Sequence, residues 1–145
     1  MFYHKPALFT RILNRTFSVF ASFGLTPSGM VTIEIAGRRS GQTRANVVTL
    51  VEVDGARYLV SPRGQTEWVR NLRAANGELA IRHRRRRRFR AEELPAEQRA
   101  PVLKAYLKKT ALATRQHFGL APDAPIEEFE RIAARHPAYR ITEAG

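Results

Sequence analysis

The stretch Val51-Glu52-Val53-Asp54-Gly55-Ala56-Arg57-Tyr58-Leu59-Val60 sets an Asp-Gly pair between two runs rich in β-branched and aromatic residues. Asp-Gly suits the tight two-residue turn in which both central residues need a positive φ, and that turn matches the twist of an antiparallel ribbon. The pattern predicts that Asn46 to Val53 and Arg57 to Ser61 fold back on one another as neighbouring strands. A lone hairpin is marginal in water, so further strands and a covering layer must come from the rest of the chain.

They are visible on both sides. Met30 to Ala36 alternates apolar and polar residues with period two and predicts a strand, joined to the first by the turn "GRRSGQTR". After the hairpin, "SPRGQ" breaks the sheet, and Thr66 to Ala75 predicts a short helix with Trp68 and Leu72 one turn apart, ended by Asn76-Gly77. "ELAIRH" and "RRFRAEEL" predict two more strands. Pro95 is expected to open a long helix running to about Phe118, with Val102, Leu103, Tyr106, Leu107 and Leu112 as its apolar set. A short helix, "IEEFERIAAR", and a last strand, "AYRIT", close the chain. Upstream, Leu8, Phe9, Ile12, Leu13, Phe17, Phe20 and Phe23 form one helical stripe, stopped by Gly24 and Pro27. That helix suits either packing on the body or contact with a membrane surface through residues 6–23.

Strands in a meander, one short inserted helix and helices at both ends give an α+β class: an antiparallel barrel of about six strands with flanking helices. No βαβ unit or GxGxxG fingerprint argues for a doubly wound fold. At 145 residues, 43% of them hydrophobic, the expectation is one domain over 1–145 with an N-terminal amphipathic helix at 1–25.

Charge narrows the partners. The net charge is +12, and "RHRRRRRFR" (residues 82–90) holds seven of the arginines, yet the remainder of the chain is still basic. Anionic partners follow: a phosphate- or carboxylate-bearing small molecule, an anionic membrane surface or nucleic acid. The chain has no cysteine, which removes disulfides, thiolate metal sites and cysteine nucleophiles together. His4, His83, His117 and His136 lack ligand spacing, so no metal site is read. There is no GxSxG elbow, and Glu92-Glu93 reads as the solvated end of a strand. No catalytic residue is assigned, and any chemistry falls to a bound cofactor. No apolar run nears the roughly 18 residues of a spanning helix, and no secretory leader is legible. The cytoplasm is the expected location, with or without peripheral contact at the inner face of the membrane.

Two segments are built to hold an anion. In Gly37-Arg38-Arg39-Ser40-Gly41-Gln42-Thr43-Arg44, two glycines frame a tight connection while three arginines and a serine offer donors. A solvent-exposed basic turn would have the same composition. The second is Ser61-Pro62-Arg63-Gly64, just ahead of a helix N-terminus whose first amides are unpaired. Trp68 and Asn71 could present a flat face and an amide to a ring, with a core role for Trp68 as the other reading.

"GRRSGQTR", the "VEVDGARYLVSPRG" hairpin, "EWVRNLRAANG" and the ending "RHPAYRIT" together resemble the deazaflavin-dependent nitroreductase family, split-barrel oxidoreductases that use coenzyme F(420). The resemblance covers most of the chain. It implies a split β-barrel and hydride transfer from the reduced deazaflavin to a small-molecule acceptor: a quinone, a nitro compound or an activated alkene. It assigns Arg38, Arg39, Ser40, Gly41 and Arg44 to the coenzyme's phosphate and acidic tail. Ser61, Pro62, Arg63 and Gly64 would hold the second side of that portion, and Trp68, Asn71 and Leu72 would line the pocket near the ring. Where relatives carry Thr-Pro-Leu this chain has Asn46-Val47-Val48, which places Val48 beside the ring on a differently shaped backbone. The tyrosine-rich C-terminal acceptor region of the nitroimidazole-reducing members is not recognisable in this chain, with Tyr106 and Tyr139 as loose candidates for it.

Other readings stay open at this level. A split barrel could bind FMN or a haem-type ligand without turnover. The arginine run could instead serve nucleic acid, although Phe89 alone interleaves it and no recognised motif surrounds it. In the expected layout the run falls on a hairpin, so alternation divides its arginines between two faces and no specific nucleic-acid site is assigned. The oligomeric state is not legible.

Overall fold

The structure is a computed structural model and describes residues 29–144, without the side chains of 111–116. The expected N-terminal helix, with its membrane-contact reading at 6–23, lies outside the described residues.

Six strands form a closed antiparallel barrel: β1 (Met30–Ala36), β2 (Thr43–Val53), β3 (Ala56–Val60), β4 (Glu78–His83), β5 (Arg85–Glu93) and β6 (Ala138–Glu143), ordered β1-β2-β3-β6-β5-β4. The predicted α+β barrel and its strand number are what the chain adopts. At the Asp-Gly pair, Asp54 has φ 51° and Gly55 φ 83°, the double positive φ that the two-residue turn requires, and Val53 pairs with Ala56. The ring closes through a short seam in which Thr32, Ile33 and Glu34 of β1 face Arg82, Ile81 and Ala80 of β4.

Three helices complete the fold: α1 (Glu67–Ala74), α2 (Ala100–Phe118) and α3 (Ile126–Ile132). α1 packs beside β1 and sends side chains into the barrel. Its Val69 and Leu72 have no exposed surface and pack with Val31, Ile33, Leu59, Phe89 and Tyr139 from the inward faces of the strands. α2 and α3 cover the outside, where Leu103, Leu107 and Phe129 pack on Tyr58 and Val60. β3 is thereby buried on both faces, which is why its sequence is more continuously apolar than that of an alternating strand.

The structure corrects the start of the long helix. Pro95 opens a 3-10 turn over Ala96–Gln98, and α2 begins only at Ala100. Pro101 is the reason: in the first turn its missing N–H costs nothing, but inside a helix begun at Pro95 its ring would collide with the preceding turn. α2 also bends at Thr110 (φ −119°, ψ 24°), whose Oγ1 donates to the Tyr106 carbonyl at 2.8 Å. β2 starts at Thr43, three residues before the sequence expectation, because Ala36 to Glu34 pair with Thr43 to Ala45.

α1 ends on two left-handed residues, Asn76 (φ 56°) and Gly77 (φ 82°). A Cβ at Gly77 would stand 2.2 Å from the Ala91 carbonyl oxygen, so only glycine lets the helix exit pass this close under β5.

One charged cluster ties the covering layer to the barrel. Buried Arg99 donates to the carbonyls of Leu94 (2.9 Å) and Ala133 (3.0 Å) and pairs with Glu93 (3.2 Å), which also takes a two-pronged bond from Arg73 of α1 (3.0 and 2.7 Å). Arg73 holds the Glu93 carboxyl below the usual carboxylate range. A depressed carboxylate contributes stability above its unfolded value, and that contribution is lost as pH falls through the folded value. Glu93→Gln should therefore cost about 1–2 kcal/mol at neutral pH, allowing for solvent screening. The gap between the two melting temperatures should narrow as pH drops below the ordinary glutamate range; a gap that stays constant with pH in thermal melts would contradict this role.

Candidate functional site

The site grows out of the unequal lengths of β1 and β2. β2 has 11 residues and β1 has 7, and Thr43 to Val47 at the start of β2 are all exposed. This ribbon overhangs the barrel. Arg44, Asn46 and Val48 lie opposite Ile35, Ile33 and Val31, whose side chains point inward, so the three share the ribbon face turned toward α1. Between that face and the first turn of α1 lie two adjoining clefts.

The first, of about 330 Å³, is lined by Arg38, Arg39, Ser40, Arg44, Trp68 and Asn71 among others. Its floor is a locked turn. Gly37 and Gln42 bond through their backbones (2.8 Å), Gly41 N–H donates to the Gly37 carbonyl (2.8 Å), and Ser40 Oγ accepts from the Gln42 N–H (3.2 Å). Asn71 fastens this turn to α1, its Oδ1 accepting from the Arg38 backbone N–H (3.1 Å) and guanidinium (2.8 Å). The same guanidinium pairs with Glu67 (2.9 Å) and through that bond holds the Glu67 carboxyl below its usual range.

The second cleft, of about 450 Å³, is lined by Val48, Ser61, Pro62, Arg63, Thr66 and Trp68, with Val47 and Tyr106. Asn46, Glu67 and Trp68 belong to both linings, so the clefts form one groove with the tryptophan at the junction. Ser61 Oγ donates to the Gly64 carbonyl (2.7 Å), holding the loop that carries Arg63. Behind the loop, buried His136 packs against Phe118 (4.6 Å between centroids), and burial lowers its pKa, which leaves the imidazole neutral at neutral pH. Burial raises the Tyr106 pKa, so its hydroxyl keeps its proton.

Ten of the thirteen residues named from sequence line this groove, and Gly41 and Gly64 serve through backbone bonds in its two turns. Leu72 stands apart, buried at 0% exposure among the barrel's inward side chains. Asn71, expected to offer its amide to a ring, has its oxygen committed to Arg38. Glu67, Asn46 and Thr66 were not read from the sequence. Glu67 is a first-turn helix acid and so was legible as a helix feature only; its place between the clefts follows from the turn folding over α1.

An anionic cofactor fits these residues. Among the described residues no carboxylate pairs with Arg39, Arg44 or Arg63, which leaves three cations along the groove. Thr66, the residue before α1, makes no side-chain cap, and its Oγ1 is buried without a partner in the wall of the second cleft. Free guanidinium groups and an orphaned hydroxyl are a donor set for phosphate and carboxylate oxygens.

The model of the F(420)H(2)-dependent quinone reductase family matches residues 10–118. The chain belongs to that family. It is an F(420)H(2)-dependent reductase, and deazaflavin coenzyme F(420) is its cofactor. No curated protein matches its sequence. Among solved structures, the reductase resembles a NimC/NimA family protein from Clostridium acetobutylicum (TM-score 0.55, 13% identity, 95% of this chain and 87% of that one). It also resembles an F(420)-H2 dependent reductase, FDR-A (TM-score 0.50, 19% identity, 78% and 93%). A third is a putative 5-nitroimidazole antibiotic resistance protein from Bacteroides thetaiotaomicron (TM-score 0.55, 11% identity, 90% and 79%). At these identities the likeness is one of fold.

Asn71→Ala in the reductase should cost about 1–2 kcal/mol, because two donors of Arg38 lose their acceptor. Amide hydrogen exchange over residues 37–42 should accelerate while the β3–β6 pair stays protected; equal acceleration in both would show that Asn71 is not a local fastening of the turn.

Proposed function

We propose that the reductase holds the anionic portion of F(420) in the first cleft and passes a hydride to a quinone seated in the second. When bound, the reduced deazaflavin supplies that hydride. The observation that carries this reading is the unbroken groove, with unpaired Arg39 and Arg44 at one end, Trp68 at the junction, and Val47, Val48 and Tyr106 at the other.

Each group has a physical task. Arg39 and Arg44 give charge-assisted bonds to phosphate and carboxylate oxygens, and Ser40 and the turn's backbone fix where those oxygens lie. Arg63 lines the second cleft and would meet any part of the anionic portion that extends past Trp68. Trp68 packs on Tyr139 (6.3 Å between centroids), which limits its freedom and makes it a firm wall for a flat ring. Val48 and the flank of Tyr106 exclude water from the acceptor, and the protonated hydroxyl of Tyr106 is a donor suited to a quinone oxygen gaining negative charge. Arg38 does not act as a free cation, since Asn71 and Glu67 already engage it; it shapes the turn on which Arg39 and Ser40 are mounted.

No helix among the described residues is long and apolar enough to cross a membrane. A lipid-dissolved quinone would be reached by contact from one side, and residues 6–23 carry the sequence pattern for such contact.

Arg39→Ala and Arg44→Ala should each weaken F(420) binding about tenfold or more, the equivalent of one lost charge-assisted bond. Fluorescence titration reads this directly, and unchanged affinity in both variants would remove the basic turn from the coenzyme site. Tight FMN binding with none for F(420) in the same titration would overturn the cofactor placement. Steady-state turnover of F(420)H(2) with a menaquinone analogue, a nitro compound and an activated alkene separates the acceptors; reduction of the nitro compound without any quinone turnover would reassign the second cleft.

A further inference from the structure

The reductase carries a second basic feature that its coenzyme groove does not use. β4 and β5 join through Arg84, at φ 70°, with His83 opposite Arg85 and Arg82 opposite Arg86. The alternation expected from the sequence holds: Ile81 and Phe89 turn into the barrel, and Arg82, Arg86 and Arg88 turn outward. Arg85 and Arg87 are on the inward phase: Arg87, opposite buried Ile81, is half-buried and pairs with Glu143, while Arg85 at the hairpin end is exposed.

Most of these charges are answered locally. Glu34 takes both Arg82 (3.2 Å) and Arg86 (2.6 Å), Glu143 pairs with Arg87, and Glu78 lies 3.7 Å from each of Arg88 and Arg90. Among the described residues no carboxylate pairs with Arg84 or Arg85 at the tip. Three carboxylates against seven arginines leave the hairpin strongly positive, with the uncompensated charge concentrated at its outer end.

Register connects this tip to the groove. Val47, Thr32, Arg82 and Arg86 are successive cross-strand neighbours, so they share one outward face of β2, β1, β4 and β5. Val47 is 65% exposed and also lines the second cleft. One face thus presents an apolar side chain at the mouth of the groove, about two strand spacings, or roughly 10 Å, from the first outward arginine.

We propose that this face and the hairpin end beyond it dock on an anionic lipid bilayer, with the Arg84–Arg85 tip among the headgroups and Val47 at the boundary with the acyl chains. Charge beside an exposed apolar residue suits an interface that has both an anionic layer and an apolar layer. Nucleic acid fits less well, because single-strand binding uses exposed aromatic rings as stacking platforms and the run's one aromatic, Phe89, is buried at 1% exposure. The purpose assigned to the contact, presenting the second cleft to a lipid-dissolved acceptor, rests on the quinone reading; the contact itself does not.

The test is vesicle co-sedimentation of the full chain, without coenzyme or acceptor. Vesicles of phosphatidylcholine alone are compared with vesicles that also contain phosphatidylglycerol. The unaltered protein should sediment only with the anionic vesicles and be released as salt is raised. The double variant Arg84→Gly and Arg85→Ser leaves residues 6–23 and the coenzyme groove intact and should bind about tenfold or more weakly, with unchanged reduction of a water-soluble quinone. Equal binding to both vesicle types, equal binding by the double variant, or displacement of the protein from anionic vesicles by a DNA oligonucleotide at matched charge concentration would each overturn the proposal. If the double variant melts early, the single variant Arg84→Asn, whose side chain tolerates the positive φ of the turn, is read in the same sedimentation and should also bind the anionic vesicles more weakly; equal binding would overturn the proposal. Because no turnover is read in the sedimentation arm, its failure leaves the acceptor assignment standing, and failure of quinone turnover leaves the docking face standing.

Discussion

Every strand of this barrel has both neighbours, and the closing seam between β1 and β4 has only three residue pairs on the β1 side. Closure removes the open edges that would invite pairing with other chains. It also leaves an interior that must be filled, and α1 contributes Val69 and Leu72 to it. The short seam has a structural consequence. β1 gives Thr32 to Glu34 to β4 and continues as Ile35 and Ala36, paired only with β2 beyond that point. The ribbon that bears Arg44 and Asn46 is therefore free to overhang, and α1 forms the opposite wall of the resulting groove.

Electrostatics divide the arginines by task. Arg73 and Arg99 converge on Glu93, tying α1 and the covering layer to the barrel, with buried Arg99 donating from all three of its guanidinium nitrogens. Arg38 is spent on Asn71 and Glu67. Arg82 and Arg86 share one glutamate. Apart from Arg135, the arginines without a carboxylate among the described residues gather in two places: Arg39, Arg44 and Arg63 around the groove, and Arg84 and Arg85 at the hairpin tip. Uniform composition hides two separate anion-facing surfaces, distinguished by where a handful of glutamates sit.

The sequence conveyed the strands well because each has a local cause. Asp54-Gly55 demands its turn, β1 alternates cleanly, and Asn76-Gly77 stops α1. It misplaced the start of α2 since Pro95 and Pro101 are each acceptable at a helix start; Pro101 cannot sit inside a helix begun at Pro95, and the docking of Arg99 onto the Leu94 and Ala133 carbonyls holds the later start in place. The basic turn and the Ser61–Gly64 loop were recognisable as donor-rich segments, and the structure brings them to one groove. The commitment of Arg38 and Asn71 to each other was not legible: the two are far apart in the chain and nothing local to either marks the bond.

By itself the sequence determined the strand count, the hairpins, the single inserted helix and the excess of positive charge, all of which follow from periods, turn chemistry and composition acting over a few residues. The tertiary structure alone decided which arginines are neutralised, that Leu72 belongs to the core, that Trp68 stands between two clefts, and that Val47 shares a face with the arginine hairpin. These are consequences of barrel register, in which residues from four strands become neighbours across the sheet. Cross-strand contact depends on pairing between distant segments, and no short-range pattern in a chain encodes the partner of a charge that lies dozens of residues away.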